Sequence, residues 1–217
     1  MIIWTKKIDH GMERKLKEGD WGKRFVQFDL MKGYGLKPNH YFLDIGCGWL
    51  RGGFEFIKYL DVGHYYAIEP METHLELGLC IVDHFGLENK RPILAKEKYF
   101  DISEFGRKFD FMLAQSVFTH LHPDMIKLAI NRLIPHLKSN GKFYATFFGP
   151  SGFEGYEGEK VLKREDYYIM VGQPFRWYQE ICEGICDVKL LGGFGHPYGK
   201  QIMEFTNAGG YDGTAMA

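Results

Sequence analysis

The sequence predicts a doubly wound α/β sandwich, in which helices cover both faces of a mostly parallel sheet. Short apolar runs of strand length alternate with amphipathic runs of helical spacing, and glycine-rich turns separate them. The chain has 217 residues, of which 45% are hydrophobic, so it can bury a sizeable core. Strands that alternate with helices pair in parallel through right-handed crossovers, which leads to this fold class.

Residues 1–20 are charged and are expected to form an N-terminal arm before a single domain over 21–206. The first predicted helix has apolar residues at helical spacing, and the strands that follow are short apolar runs. The elements predicted in the first half are a helix over 20–34, a strand over 41–45, a helix over 54–60, a strand over 65–68, a helix over 71–85 and a weaker strand over 91–95.

The second half repeats this alternation and then departs from it. Its predicted elements are a strand over 109–114, a helix over 124–137, a strand over 142–148, a helix over 175–184 and two final strands over 188–191 and 201–206. The segment 149–166 holds four glycines, one proline and several charges, which predicts an insertion or a lid loop. The small and polar residues of 207–217 predict a flexible tail.

The composition disfavours several classes of partner. Twenty-seven Lys and Arg residues against 28 Asp and Glu leave a net charge of −1, with no basic field for nucleic acid or a membrane surface. No apolar run approaches the ~20 residues of a membrane span, and the opening apolar run is too short for a signal peptide. A cytoplasmic location is therefore expected. The four cysteines form no Cys-x-x-Cys pair, so no metal site is expected.

The strongest chemical signal is the glycine loop after the first predicted strand. The apolar strand carries Asp44 near its end and runs into Gly46, Cys47 and Gly48, where glycine lets the backbone approach a ligand closely. A dinucleotide loop would need a third glycine at position 51, which is Arg51. An acid just before the loop also suits an amine better than a pyrophosphate. A nucleoside that carries an amino acid fits both the missing third glycine and the acid before the loop.

A second signal is Glu69, which follows the second predicted strand and precedes Pro70. It lies 21 residues after Gly48, where its carboxylate can accept both hydroxyls of a ribose beside the glycine loop. The alternative is an acid that caps the helix starting near Met71. The pairing with the glycine loop favours ribose. A third signal is Gln115 with Ser116 after the strand 109–114, which either line the same crevice or simply begin a turn.

On these three segments the chain resembles the class I S-adenosylmethionine-dependent methyltransferases. The resemblance implies a Rossmann-like, seven-stranded sheet with an antiparallel last strand, and S-adenosyl-L-methionine as the cofactor. It assigns the glycine loop to the methionine part, the acid after the second strand to the ribose, and an acid-plus-apolar pair after the third strand to the adenine. The cofactor-binding residues that it implies are Asp44, Gly46, Cys47, Gly48, Glu69, Pro70, Asp101, Ile102, Gln115 and Ser116.

One departure from the family pattern is Leu50, which stands where the third glycine of Gly-x-Gly-x-Gly is usual. The residues Leu50-Arg51-Gly52-Gly53 resemble a variant that occurs in bacterial methyltransferases of poorly defined substrate. Arg51 then either clamps the cofactor carboxylate or forms an ion pair that holds the loop.

The histidines are the candidates for a general base, because imidazole titrates near neutral pH. His196 lies between glycines and next to Pro197, and His120 follows Ser116 by four residues. The alternative for His120 is packing under the site, and the alternative for His196 is a structural role in its loop. The other histidines, His74 among them, are expected to be ordinary surface or half-buried residues away from the crevice.

The predicted function is that of a methyltransferase that O-methylates a small-molecule or glycan-type acceptor. The sequence after the fourth strand lacks the Asn/Asp-Pro-Pro-Tyr-like motif of enzymes that methylate bases or amides, and the histidines favour a hydroxyl. The alternative is a methyltransferase-like cofactor-binding or regulatory protein without turnover. A nicotinamide oxidoreductase is disfavoured by Arg51.

Overall fold

The computed structural model describes residues 24–148, 162–163, 169–170, 172–194 and 200–208. The predicted N-terminal arm, nearly all of the predicted lid loop, most of the tail and His196 lie outside these residues. Residue contacts group the chain into two compact units, Met1–Lys98 and Tyr99–Ala217. Along the described residues, no helix has the length and apolar character that crossing a membrane requires.

The order of elements follows the predicted alternation. The helices are α1 (Arg24–Gly33), α2 (Gly53–Tyr59), α3 (Glu72–His84), α4 (Pro123–Leu133) and α5 (Phe175–Cys182). The strands are β1 (Phe42–Ile45), β2 (Tyr65–Glu69), β3 (Ile93–Lys96), β4 (Phe109–Ala114), β5 (Leu137–Phe148), β6 (Leu162–Lys163), β7 (Ile169–Met170), β8 (Cys186–Gly193) and β9 (Lys200–Asn207).

The seven longer strands form one sheet in the order β3-β2-β1-β4-β5-β9-β8. The pairs β1–β2, β2–β3 and β4–β5 are parallel, whereas β9 is antiparallel to both β5 and β8. The predicted fold class, a mostly parallel seven-stranded sheet with an antiparallel last strand, is confirmed. The short strands β6 and β7 pair separately, in and just after the segment that was predicted to be a loop.

In the first unit, β1 and β2 are buried along their whole length, as central strands covered on both faces must be. Their register pairs Phe42 with Tyr65 and Asp44 with Ala67. Because side chains alternate between the faces of a strand, this register places Asp44, Tyr65 and Glu69 on the same face of the pair. Two acids and a tyrosine therefore share one side of the sheet, with Glu69 at the carboxyl end of β2 and Tyr65 at its start.

In the second unit, two boundaries differ from the predictions. Helix α4 ends at Leu133 and continues as a 3₁₀ turn over Ile134–His136, because Pro135 lacks an N–H and disrupts the last helical turn. Strand β5 begins at Leu137 rather than at residue 142. The polar residues that looked like a turn lie in a bulge, since Leu137 pairs with Phe109 whereas Lys142 pairs with Phe111.

Candidate functional site

The glycine loop after β1 folds back over the end of β2. The backbone N–H groups of Gly46 and Cys47 both donate to the carbonyl of Ile68, at 2.8 and 3.3 Å. Gly46 and Gly48 have φ angles of +67° and +55°, a region that glycine enters without steric cost. The loop therefore needs glycine at both positions to turn within three residues.

The Glu69 carboxylate holds this loop to the start of α3. Its Oε2 accepts from the Gly48 N–H at 3.0 Å, and its Oε1 accepts from the Met71 N–H at 3.1 Å and lies 3.2 Å from His74 Nδ1. The hydrogen bond from the Met71 N–H to Glu69 agrees with the alternative that Glu69 caps the start of α3. Each carboxylate oxygen has two acceptor positions, so Oε2 retains capacity for a hydroxyl donor. Capping and ribose binding are compatible in this geometry.

His74 lies beside the Glu69 carboxylate. Its side chain is 35% exposed, so it is half-buried as predicted, but its contact with Glu69 was not predicted. His74 lies in the first turn of the helix that Glu69 precedes by three residues. A side chain in the first turn of that helix lies near the carboxyl edge of β2.

Asp44 is a buried acid with a tyrosine as its hydrogen-bond donor. The hydroxyl of Tyr65 donates to Asp44 Oδ2 at 2.7 Å, and only 5% of Asp44 is exposed. Burial raises the pKa of Asp44 to about 7; the Tyr65 hydrogen bond opposes this rise and the nearby Glu69 charge adds to it. Two neighbouring acids in a buried setting favour a cationic group and repel a phosphate.

Cys47 is held as a neutral thiol. It is 8% exposed, and burial raises the pKa of its thiol well above the usual range, with Asp44 and Glu69 raising it further. Its Sγ lies 3.5 Å from the Gly48 carbonyl oxygen. Cys47 therefore contributes packing and one backbone hydrogen bond, from its N–H to Ile68, to the loop rather than a nucleophile.

The remaining predicted residues of the first unit are at the surface. Arg51 and Pro70 are exposed, while Leu50 between the glycine loop and α2 is fully buried. Within this unit the structure brings Asp44, Cys47, Gly48 and Glu69 into mutual contact or electrostatic range. The two alternatives for Arg51 stay open.

Ser116 in the second unit follows β4 in a strained conformation. Its φ is +60°, which is unfavourable for a residue with a side chain, and its N–H donates to Thr146 Oγ1 at 2.7 Å. Its Oγ accepts from Lys200 Nζ at 2.7 Å and lies 3.4 Å from Gln115 Nε2. Lys200 was not predicted as a site residue, because it lies 84 residues from Ser116 in sequence.

The predicted adenine-flanking pair has two different environments. Asp101 is exposed, and its Oδ1 accepts from the N–H and the hydroxyl of Ser103 at 3.1 and 2.7 Å. These hydrogen bonds lower the pKa of Asp101. Ile102 is 1% exposed and belongs to the core of its unit. The carboxylate of Asp101 is thus available at the surface, whereas the side chain of Ile102 is enclosed.

The histidines after β4 lie in a 3₁₀ turn and at a helix cap. His120 is exposed at the end of the turn Phe118–His120, so it does not pack under the site. His122 caps α4, since its Nδ1 accepts from the Asp124 N–H at 3.3 Å. Over the described ranges, no group of three or more His, Cys, Asp or Glu side chains could hold a metal ion.

Comparison with known proteins identifies the fold. No protein-family model matches the chain, and no curated protein matches it. Among solved structures, the chain is similar to an S-adenosylmethionine-dependent methyltransferase from Clostridium acetobutylicum, with 12% identity, a TM-score of 0.66, and 92% of this chain and 97% of that one covered. It is also similar to DesVI of Streptomyces venezuelae, with 16% identity, a TM-score of 0.64, and coverage of 94% and 100%.

A third similar structure is the glycopeptide N-methyltransferase MtfA complexed with S-adenosyl-L-homocysteine. It shares 13% identity and a TM-score of 0.66, over 93% of this chain and 100% of that one. At these identities the likeness establishes the fold alone. The chain has the fold of class I S-adenosylmethionine-dependent methyltransferases, as the sequence resemblance predicted; the Leu-Arg-Gly-Gly variant stays a prediction.

Proposed function

We propose that this chain is an S-adenosylmethionine-dependent methyltransferase that O-methylates a small-molecule or glycan-type acceptor. The observation that carries the proposal is the arrangement at the ends of β1 and β2. There, two buried carboxylates, Asp44 and Glu69, lie beside a glycine loop, in a fold shared with a methyltransferase structure that holds S-adenosylhomocysteine.

The chemistry of these residues fits the cofactor. Asp44 would bind the amino group of the methionine part, because a buried carboxylate favours a cation and a hydrogen bond. Glu69 would accept from the ribose, and Gly46 and Gly48 would let the backbone approach the ligand. The same pair of acids would repel a pyrophosphate, which counts against a nicotinamide dinucleotide.

When bound, the cofactor supplies an electrophilic methyl group on a sulfonium. The chain then has to align the acceptor oxygen and accept its proton. We assign that second task to His196 or His120. MtfA is a glycopeptide N-methyltransferase, so the shared fold leaves the acceptor atom open. The histidines are what favour a hydroxyl.

Calorimetric titration with S-adenosylhomocysteine tests the cofactor assignment. The wild-type chain should bind it saturably and Glu69→Ala should weaken binding by roughly 5- to 150-fold, because ribose hydroxyls would lose a buried partner. Glu72→Ala is the matched control, since that carboxylate lies at the start of α3, is 64% exposed and pairs with Lys96. No binding by the wild type would refute the proposal, and tighter binding of NAD would favour the oxidoreductase.

Turnover separates the enzyme from the alternative of a cofactor-binding or regulatory protein. A radiolabelled methyl group from S-adenosylmethionine should appear on a hydroxyl-bearing small molecule or glycan from a panel that also contains amines. Label on an amine would contradict O-transfer. Cofactor binding without label on any panel member would favour the regulatory alternative.

A further inference from the structure

Strand β8 lies at one edge of the seven-stranded sheet, next to β9. An edge strand directs the N–H and C=O groups of alternate residues away from the sheet, where a further strand can pair with them. Over the part of the chain that the structure describes, the backbone of Cys186–Leu190 has hydrogen-bond partners in β9 and in no other element. The outer side of this stretch is therefore open to another strand.

The regular part of β8 is symmetric about its central residue, Val188. Cys186–Leu190 pair in unbroken order with residues 203–207 of β9, and the register shifts after Leu190. An antiparallel second copy of this stretch can pair with it about a two-fold axis at Val188. Each residue before Val188 then lies opposite the residue equally far after it in the partner. Closed two-fold pairing is the commonest way in which identical chains associate.

The charges of this stretch are complementary in the symmetric register. Asp187 lies opposite Lys189 of the partner subunit, and Lys189 lies opposite the partner's Asp187, on a common face of the sheet. Both residues are exposed, and neither has an ion-pair partner among the residues that the structure describes. Two attractive pairs therefore form without breaking an existing one.

The same two charges also exclude the neighbouring registers. A shift by two residues would place Asp187 opposite the partner's Asp187, or Lys189 opposite the partner's Lys189, and like charges in directly opposite positions are destabilising. A lysine alone on an edge strand hinders pairing. With an aspartate two residues earlier on the same face, the lysine instead favours one register.

A cavity of about 610 Å³ lies beside this edge, between α5 and β8. Cys182 of α5 and Cys186 and Val188 of β8 supply apolar lining, and both cysteines are buried. In the symmetric register, Leu190 of the partner subunit lies opposite Cys186, on the face that lines the cavity. Leu190 is 39% exposed in the single chain. Its entry into the partner's cavity would remove this apolar side chain from water.

We propose that β8 pairs antiparallel with β8 of a second copy of this chain, with Val188 on the two-fold axis. The sheet then continues from one chain into the other, Asp187 and Lys189 form two symmetry-related ion pairs, and Leu190 enters the partner's cavity. Because the regular stretch is short, the dimer is weak and depends on protein concentration. The proposal involves residues of the second unit alone and does not rest on the methyltransferase assignment.

Sedimentation equilibrium of the full chain between about 5 and 500 μM tests this dimer. Wild type should change from monomer towards dimer over that range. Asp187→Lys and Lys189→Asp should each raise the dissociation constant at least about fivefold, because both symmetry-related pairs become repulsive. Asp83→Lys on α3 and Lys37→Asp before β1 make the same changes of charge at other exposed positions and should leave the dissociation constant unchanged.

An equimolar mixture of Asp187→Lys and Lys189→Asp tests the register. One chain then carries lysine at both positions and the other carries aspartate at both, so the mixture should form a heterodimer about as tightly as wild type forms its dimer. This recovery also shows that both variants are folded. A mixture that associates no better than the separate variants overturns the proposal.

Three further results would overturn it. The first is a wild-type chain that stays monomeric up to about 500 μM. The second is a wild-type dimer that both charge reversals leave intact, because the interface would then lie elsewhere. The third is a dimer that forms only after residues 209–217 are removed, because the chain's own tail would then cover the edge of β8.

Discussion

The side chain of Leu50 lies against Gly78 of α3, so closely that a Cβ added to Gly78 would come within 2.9 Å of Leu50 Cγ. Leu50 is fully buried although its φ is +64°, a value at which glycine is the usual residue. The backbone of the loop therefore keeps the conformation that a third glycine would give. Burial of the leucine against α3 offsets the strain of a side chain in that region.

This packing predicts that Gly78→Ala destabilises the protein. Alanine at an unhindered helical position stabilises by about 0.4–1 kcal/mol, because it restricts the unfolded chain. At Gly78 the new methyl group would instead meet Leu50, which cannot shift within the core, and the cost should be about 1–3 kcal/mol. Urea unfolding measures the difference. The matched control is Gly33→Ala at the end of α1, where a Cβ meets no atom within 4 Å.

A stable Gly78→Ala variant would mean that Leu50 can move. In that case the backbone of the neighbouring glycine loop would shift with Leu50, and the affinity of Gly78→Ala for S-adenosylhomocysteine should change. Unchanged stability together with unchanged affinity would contradict the view that Leu50 holds the loop.

Asp44→Asn is expected to stabilise the protein at high pH. The pKa of Asp44 is about 7 in the folded chain and 3.8 as its ordinary value, so the folded state binds this proton more tightly. Its contribution to stability therefore falls as the pH rises from about 4 to about 7, and stays low above that. Asparagine does not titrate and can still accept from Tyr65.

The free energy of unfolding of Asp44→Asn relative to wild type should increase by on the order of 1–4 kcal/mol between pH 4.5 and pH 8. Urea titrations at the two pH values measure it. Asp83→Asn removes an exposed carboxylate of α3 and should show little change between them. A constant difference for Asp44→Asn would show that Asp44 is ionised throughout.

The glycine loop and Glu69 were predictable because their signals are local: a strand, an acid and two glycines within a few residues. Tyr65 was not, since in sequence it is one more aromatic residue of an apolar strand, and only the parallel register brings its hydroxyl to Asp44. The contact between Lys200 and Ser116 was not predictable for the same reason, since the two residues lie 84 positions apart in sequence. Contacts between distant strands depend on register and sheet order, which periodicity does not encode.

The affinity for S-adenosylhomocysteine should depend on pH through Asp44. If its ionised carboxylate binds the amino group, affinity rises as the pH increases through about 7. Tyr65→Phe removes the hydrogen bond that lowers the pKa of Asp44, so the midpoint of this rise should move to higher pH. Calorimetry from pH 6 to pH 8.5 measures both midpoints, with Asp44→Asn as the variant whose affinity is weak and flat. Identical midpoints in wild type and Tyr65→Phe would exclude Asp44 as the titrating group.

The last prediction concerns the proton of the acceptor hydroxyl. His120 is exposed in the described structure and so can exchange a proton with solvent. His196 is the preferred candidate for the base, because in the sequence it lies between glycines and next to Pro197. A positioned base contributes about 10²–10⁴ in rate, so His196→Ala or His120→Ala should lower single-turnover methyl transfer by that factor. Affinity for S-adenosylhomocysteine should stay nearly unchanged, because neither ring is assigned to the cofactor. His84→Ala, at the end of α3, controls for the loss of an imidazole elsewhere. Wild-type rates of methyl transfer in both site variants would contradict the prediction. They would mean that alignment of the acceptor alone drives transfer and that neither histidine acts as a base.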